Sequence, residues 1–114
     1  MASRLPPALE VATLLRQTGV AGGFAMVLHK GDPDRGTILV VALDRDNLGT
    51  LYERLPDAAD PGAGGTCWTV LRRQSADDRA AFEDDLARRL RRDPDLWIIE
   101  LTVADVERSI LNPA

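Results

Sequence analysis

The stretch Asp93-Pro94-Asp95-Leu96-Trp97-Ile98-Ile99-Glu100-Leu101 constrains the fold more than any other. Pro94 lacks a backbone N–H and biases Asp93 away from helix, so the charged, Arg-rich helix running into it must stop. Residues 96–101 are then almost continuously apolar and rich in branched and aromatic types. A run this short, bounded by Pro and Asp, reads as a strand covered on both faces. Trp97, Ile99 and Leu101 alternate onto one face, with Leu96 and Ile98 on the other.

The segments before it read in order. Pro6 and Pro7 can open a helix, because first-turn amides lack intrahelical partners. Ala8, Val11, Ala12 and Leu15 give it an apolar stripe over residues 7–18, and Gly19 then Gly22-Gly23 stop it. Four strands follow, at 24–30, 37–43, 50–55 and 66–73, with turn-forming Gly, Asp, Asn and Pro between the first three. The second is so apolar that it is expected in the sheet interior. The Gly-, Ala- and Pro-rich stretch 57–65 reads as a mobile surface loop. Trp68 and Val70 lie on one face of the fourth strand, with Cys67, Thr69 and Leu71 on the other. Ser75, Ala76, Asp77 and Asp78 read as a helix cap. Phe82, Leu86 and Leu90 then form a buried stripe, and Asp84–Arg88 and Asp85–Arg89 are i,i+4 pairs worth ~0.2–0.5 kcal/mol each. Residues 103–111 complete the chain as a short helix with Val106 and Ile110 inward.

These elements predict an α+β fold in the order α-β-β-β-β-α-β-α, with residues 1–114 as a single domain. The expected architecture is a two-layer sandwich: a mostly antiparallel five-stranded sheet with helices packed on one face. Strands one to four succeed one another as hairpins. Strand five is expected antiparallel beside strand one, not parallel beside strand four. Trp97 is expected as core between the Phe82/Leu86/Leu90 stripe and the sheet.

Composition excludes several functions. A net charge of −4 gives no general attraction to nucleic acid or to an anionic membrane. No apolar run approaches the ~20 residues a membrane helix needs, and the N-terminus lacks the apolar core of a signal peptide. One cysteine, Cys67, cannot form an internal disulfide, which fits a reducing cytoplasm.

The landmarks Gly22-Gly23-Phe24-Ala25, Lys30-Gly31-Asp32 with Gly36, Tyr52-Glu53-Arg54, Trp68 and Asp93-Pro94-Asp95-Leu96-Trp97-Ile98-Ile99-Glu100 resemble those of one small family. It comprises short alphaproteobacterial proteins catalogued only as a domain of unknown function. The likeness runs from about Leu5 to Glu100, and its last motif is the most specific. The resemblance implies a bacterial origin and a stand-alone domain. It brings no activity, substrate or catalytic residue with it.

Each candidate site has a plainer explanation. Arg88, Arg89, Arg91 and Arg92 can touch phosphates, but cations at a helix C-terminus pair with acids one turn back. Asp44 with Gly49 imitates a calcium loop until its twelfth position, where Leu55 stands in place of the required glutamate. Asp32-Pro33-Asp34 fits less well, and both segments read as acidic turns. Cys67 and His29 are alone of their types, so a Cys/His zinc site is excluded, and a nucleophilic pair requires them to meet across the sheet. Ser3, Ser75 and Ser109 sit at a terminus, a cap and a helix, without a nucleophile elbow. The glycines from Gly62 to Gly65 lead into a strand rather than a helix, so they do not cradle phosphate. The most informative group is Tyr52, Glu53, Arg54, Trp68 and Glu100, two aromatics with charges on strands, which can line a groove for a ligand or peptide. Its plainer reading packs Trp68 under a helix and pairs Arg54 with Glu53 or Glu100.

The expected function is that of a small non-enzymatic binding or protein-interaction module, with no cofactor and no metal. A homodimer through a sheet edge or apolar patch is one form of it. The alternative is a small-molecule sensor or enzyme using an open sheet face around Arg54, Trp68 and Glu100.

Overall fold

The computed structural model describes residues 6–56 and 66–112. Its elements are α1 (Pro7–Val20), β1 (Phe24–His29), β2 (Ile38–Leu43), β3 (Gly49–Pro56), β4 (Thr66–Arg73), α2 (Arg79–Arg92), β5 (Trp97–Thr102) and a π-helical turn at Glu107–Leu111. The α+β class, the element order and the five-stranded, mostly antiparallel sheet are as the sequence predicts. The loop expected to be mobile, 57–65, lies outside the described residues.

The sheet order is β1-β5-β2-β3-β4. β5 pairs antiparallel with β1, as expected, and also parallel with β2. It therefore separates β1 from β2, and the hairpin expected between those two strands does not form. Insertion gives β5 a neighbour on each side, which suits a strand whose residues Trp97, Ile98, Ile99 and Leu101 are all buried. The interior position of β2 is likewise as predicted.

Helices cover both faces rather than one. Val11 and Leu14 of α1, with Ile110 and Leu111 of the π turn, pack on Ile38, Val40, Tyr52, Trp68, Trp97, Ile99 and Leu101. Phe82 of α2 packs on Leu39, Val41, Leu51, Leu96 and Ile98, with Leu86 and Leu90 beside it. A two-layer sandwich would leave the second set bare. Trp97 is core, but on the α1 face; Leu96 and Ile98 are what the α2 stripe meets. The α1 stripe is also rotated from expectation, burying Val11, Leu14 and Thr18 while Ala12 stays exposed.

Just after the break at Pro94 the start of β5 is bonded to a segment far away in sequence. The β1–β2 connection crosses the start of β5 and docks on it. The Asp32 amide donates to the Asp95 carbonyl at 3.0 Å, and the Trp97 amide donates to Thr37 at 2.8 Å. The indole Nε1–H of Trp97 donates to the Asp32 carbonyl at 2.8 Å, and the protonated Nδ1 of His29 donates to the Leu96 carbonyl at 2.7 Å. A Cβ on Gly31 would lie 2.0 Å from the Asp95 oxygen, and one on Gly36 would lie 2.3 Å from it. The 31–36 loop and the start of β5 thus touch each other, and close backbone approach explains Gly31 and Gly36.

Candidate functional site

The sheet divides the five candidate residues. Arg54 and Tyr52 project toward α1, as does Trp68, the cross-strand neighbour of Arg54. Glu53 pairs in register with Leu39, whose side chain belongs to the α2 face. Glu100 follows the alternation of β5 onto that same α2 side, opposite Met26.

Arg54 does not take either expected acid. Its guanidinium forms an ion pair with Glu10 of α1, and both side chains are largely buried. It also lies over the Trp68 ring, 4.8 Å from the centroid, a distance suited to cation–π attraction. Glu10 escaped sequence reasoning because it stands on the polar side of its helix pattern. Only the way α1 lies across β3 brings it to Arg54. Two clefts flank the pair. One of about 370 Å³ opens beside Pro6, Arg35 and Thr37, and one of about 310 Å³ opens beside Thr13, Gln17 and Trp68. Tyr52 is buried, and burial followed by the nearby Glu107 carboxylate pushes its hydroxyl above the ordinary range. A third depression of about 490 Å³ lies at the carboxyl ends of β2 and β5, lined by Thr50, Tyr52, Thr102 and Asp105 among others.

The remaining candidates resolve locally. Asp44 Oδ1 accepts from the amides of Asp46 at 2.8 Å and Leu48 at 3.0 Å. Asp32 Oδ1 accepts from Asp34 at 2.8 Å and Arg35 at 2.9 Å. Those two amides hold the Asp32 carboxyl below its usual range. Each carboxylate is thus engaged by its own turn, and no group of three or more potential metal ligands occurs among the described residues. Asp85 pairs with Arg88 at 3.4 Å and Arg89 at 3.2 Å, and Arg72 bridges Asp85 to Asp78. Ser75 supplies no side-chain cap; its amide donates to Asp78 Oδ1 at 2.9 Å instead. His29 lies on β1 and Cys67 on β4, the two outer strands of the sheet, so four strand spacings, ~19 Å, separate them. The Gly62–Gly65 segment lies outside the described residues.

The two sheet edges differ sharply. At Trp68 of β4, the Asn112 side chain fills the place of a neighbouring strand. Its Oδ1 accepts from the Trp68 amide and its Nδ2 donates to the Trp68 carbonyl, both at 3.0 Å. β4 also ends in Arg72 and Arg73, charges that blunt an edge, whereas a register irregularity is common to both outer strands, at Leu51/Tyr52 opposite β4 and at Val27/His29 in β1. β1 has no strand on its outer side among the described residues. It carries no formal charge, and Phe24 is 82% exposed, Met26 57%, Leu28 45% and Val27 38%. Large apolar side chains exposed together on an unpaired edge mark an interaction surface. Sequence reading missed it, because an apolar run looks the same whether its own chain covers it or another does.

A protein-family description, "Protein of unknown function (DUF1491)", matches residues 5–111. No curated protein matches. The chain is similar to a DUF1491 family protein from Caulobacter crescentus CB15 solved by crystallography, at 30% identity and a TM-score of 0.72, covering 87% of this chain and 88% of that one. It is similar to protein Atu0922 from A. tumefaciens, solved in solution, at 27% identity and a TM-score of 0.74, covering 95% and 93%. An NMR structure of a DUF1491 family protein from C. crescentus CB15 matches at 29% identity and a TM-score of 0.74, covering 97% and 96%.

Proposed function

The chain belongs to the DUF1491 family, and we propose that it is a non-enzymatic protein-interaction module whose working element is the outer edge of β1. One observation carries this reading: an uncharged edge strand with four exposed apolar side chains, while Asn112 holds the opposite edge. A partner that extends the sheet satisfies the outer amides and carbonyls of β1 and covers Phe24 and Met26 together. The net charge of −4 favours a protein over nucleic acid or a membrane as that partner. None of the helices among the described residues is long and apolar enough to cross a membrane. The lone Cys67 supports a cytoplasmic setting. The relatives from C. crescentus and A. tumefaciens support an alphaproteobacterial range for the family.

The test is comparative capture from cells in which the protein is native, with partners identified by mass spectrometry. Baits would be the unmodified chain, Phe24→Asp with Met26→Lys, and Arg54→Ala. The account expects the edge variant alone to lose the captured protein. Equal capture by all three would refute it.

A second reading uses the Arg54 clefts as a small-molecule sensor or enzyme site. The placement of Arg54 by Glu10 and Trp68, between two clefts, favours it. A thermal-shift screen of metabolites would support it by a rise in melting temperature that the edge variant retains.

A further inference from the structure

We infer that the occupant of the β1 edge is a second copy of this chain, paired antiparallel about a two-fold axis that passes beside Met26, so that two sheets become one of ten strands. This rests on the reading of β1 as the working edge and adds the identity of the partner.

Register follows from the faces. A two-fold axis perpendicular to the sheet keeps each side chain on its own face. Residues paired across the axis must therefore share a face. Phe24 and Met26 lie with Thr102 and Glu100 on the α2 side, while Ala25 and Val27 lie with Leu101 and Ile99 on the α1 side. Pairing Met26 with the partner's Met26 meets this condition. It places Ala25 against the partner's Val27 and Phe24 against the partner's Leu28, the extra residue that the irregularity between Val27 and His29 inserts on β1. The exposed apolar residues of β1 are then used in one reciprocal contact. Shifting the axis to Ala25 or Val27 also keeps the faces but leaves either Leu28 or Phe24 without an opposite residue in the strand.

Charge does not oppose the contact. β1 itself has no formal charge, and the nearest acid on the α2 side is Glu100, one strand further in and in register with Met26. The two symmetry-related Glu100 residues stand three strand spacings apart, ~14 Å. That exceeds the screening length of ~8 Å at physiological salt. The area is also adequate for a reversible dimer. Phe24, Met26, Val27 and Leu28, at 82%, 57%, 38% and 45% exposed, offer at most roughly 400 Å² per protomer, the small end of the interface range and that of a weak, reversible pair. The β1 backbone and the shallow cleft beside it, lined by Leu43, Asn47 and Thr102, add to this. A closed pair leaves only the two β4 edges outermost, and those are the edges that Asn112 occupies.

Two measurements test the inference. Sedimentation equilibrium from micromolar to submillimolar protein should show the unmodified chain at twice its 12.4 kDa mass, and Phe24→Asp as a monomer. Met26→Cys in a Cys67→Ala background should cross-link to a covalent dimer under mild oxidation. The paired Cα atoms would lie about 4.5–5.5 Å apart, within the range a disulfide spans. Phe24 is exposed, so Phe24→Asp should keep the native circular dichroism spectrum. If that variant misfolds, the cross-link decides alone. A monomer throughout the concentration range overturns self-pairing and leaves the edge open to a different protein, which the capture experiment tests separately. A dimer that survives Phe24→Asp and fails to cross-link at Met26→Cys also overturns it, because the contact then lies elsewhere.

Discussion

Trp97 is 4% exposed at the junction between the β5 strand and the loop that crosses it. Truncating it to alanine empties the space of an indole inside the cluster that includes Val11, Leu14, Ile38, Val40 and Ile99. Emptying a buried aromatic site costs about 3–5 kcal/mol, because surrounding side chains close the space only in part. The lost Nε1–H bond adds less than its shortness suggests. The Asp32 carbonyl still accepts from the Gly36 amide at 3.1 Å, so no buried acceptor is orphaned and the term is ~1 kcal/mol. The indole also supports Gly36, where an added Cβ would stand 2.8 Å from Trp97 Cδ1. Removing it therefore loosens the 31–36 loop as well. Trp97→Phe keeps most of the volume and should cost about 1–2 kcal/mol. The assay is urea unfolding followed by circular dichroism, since Trp97 is one of two tryptophans and its loss changes fluorescence directly. A domain of this kind has roughly 5–15 kcal/mol in total, so Trp97→Ala should be marginal while Trp97→Phe folds. Trp97→Ala within half a kcal/mol of the parent, ~0.5 or less, would show that the junction does not hold the fold as described.

The glycines give a contrast of sign. Gly31→Ala should lower stability by more than ~1 kcal/mol, because its Cβ meets the Asp95 carbonyl. Gly19→Ala, with nothing within 4 Å in a helix, should raise it by about 0.4–1 kcal/mol. Urea midpoints of the two variants check both. Asn112→Ala removes both side-chain bonds to Trp68. It should cost about 1–2 kcal/mol and make the β4 edge prone to association, visible by light scattering. Tyr52 has its folded pKa raised, first by burial and then by Glu107, above its ordinary value of 10.0. The unfolded chain therefore deprotonates first as pH climbs. The stabilisation is complete below pH 10 and is lost as pH rises through the folded value. A stability profile in alkali should fall in the parent, and the fall should be shallower in Tyr52→Phe.

Much of this was legible in the residues. β2 and β5 carry apolar side chains at successive positions without alternation, and such strands require cover on both faces. That demand already conflicts with a two-layer sandwich, which would strand Leu39, Val41, Leu96 and Ile98 in water. Phe82, Leu86 and Leu90 marked the buried face of α2 by spacing alone. The insertion of β5 between β1 and β2 was not legible, because a strand beside β1 only and one between two neighbours have the same composition. Only the contacts of Gly31, Asp32 and Gly36 with Asp95 and Trp97 reveal that the connection crosses over it. The pairing of Arg54 with Glu10 depends on how α1 lies across the sheet, which no local spacing records. β1 misleads in another way. Its apolar residues suggest a covered strand, and within this chain most of them are exposed.

Hydrogen–deuterium exchange at the two sheet edges tests the central claim most directly, since it reads whether the outer amides of β1 have partners. The peptide spanning Phe24–His29 should be strongly protected in concentrated protein, or with the captured partner bound. It should lose part of that protection on dilution or in Phe24→Asp. The Trp68 amide, held by Asn112 within the chain, should exchange at the same rate in every sample. If β1 exchanges equally fast at all concentrations and with every candidate partner, its edge is bare in the working protein and the account is wrong.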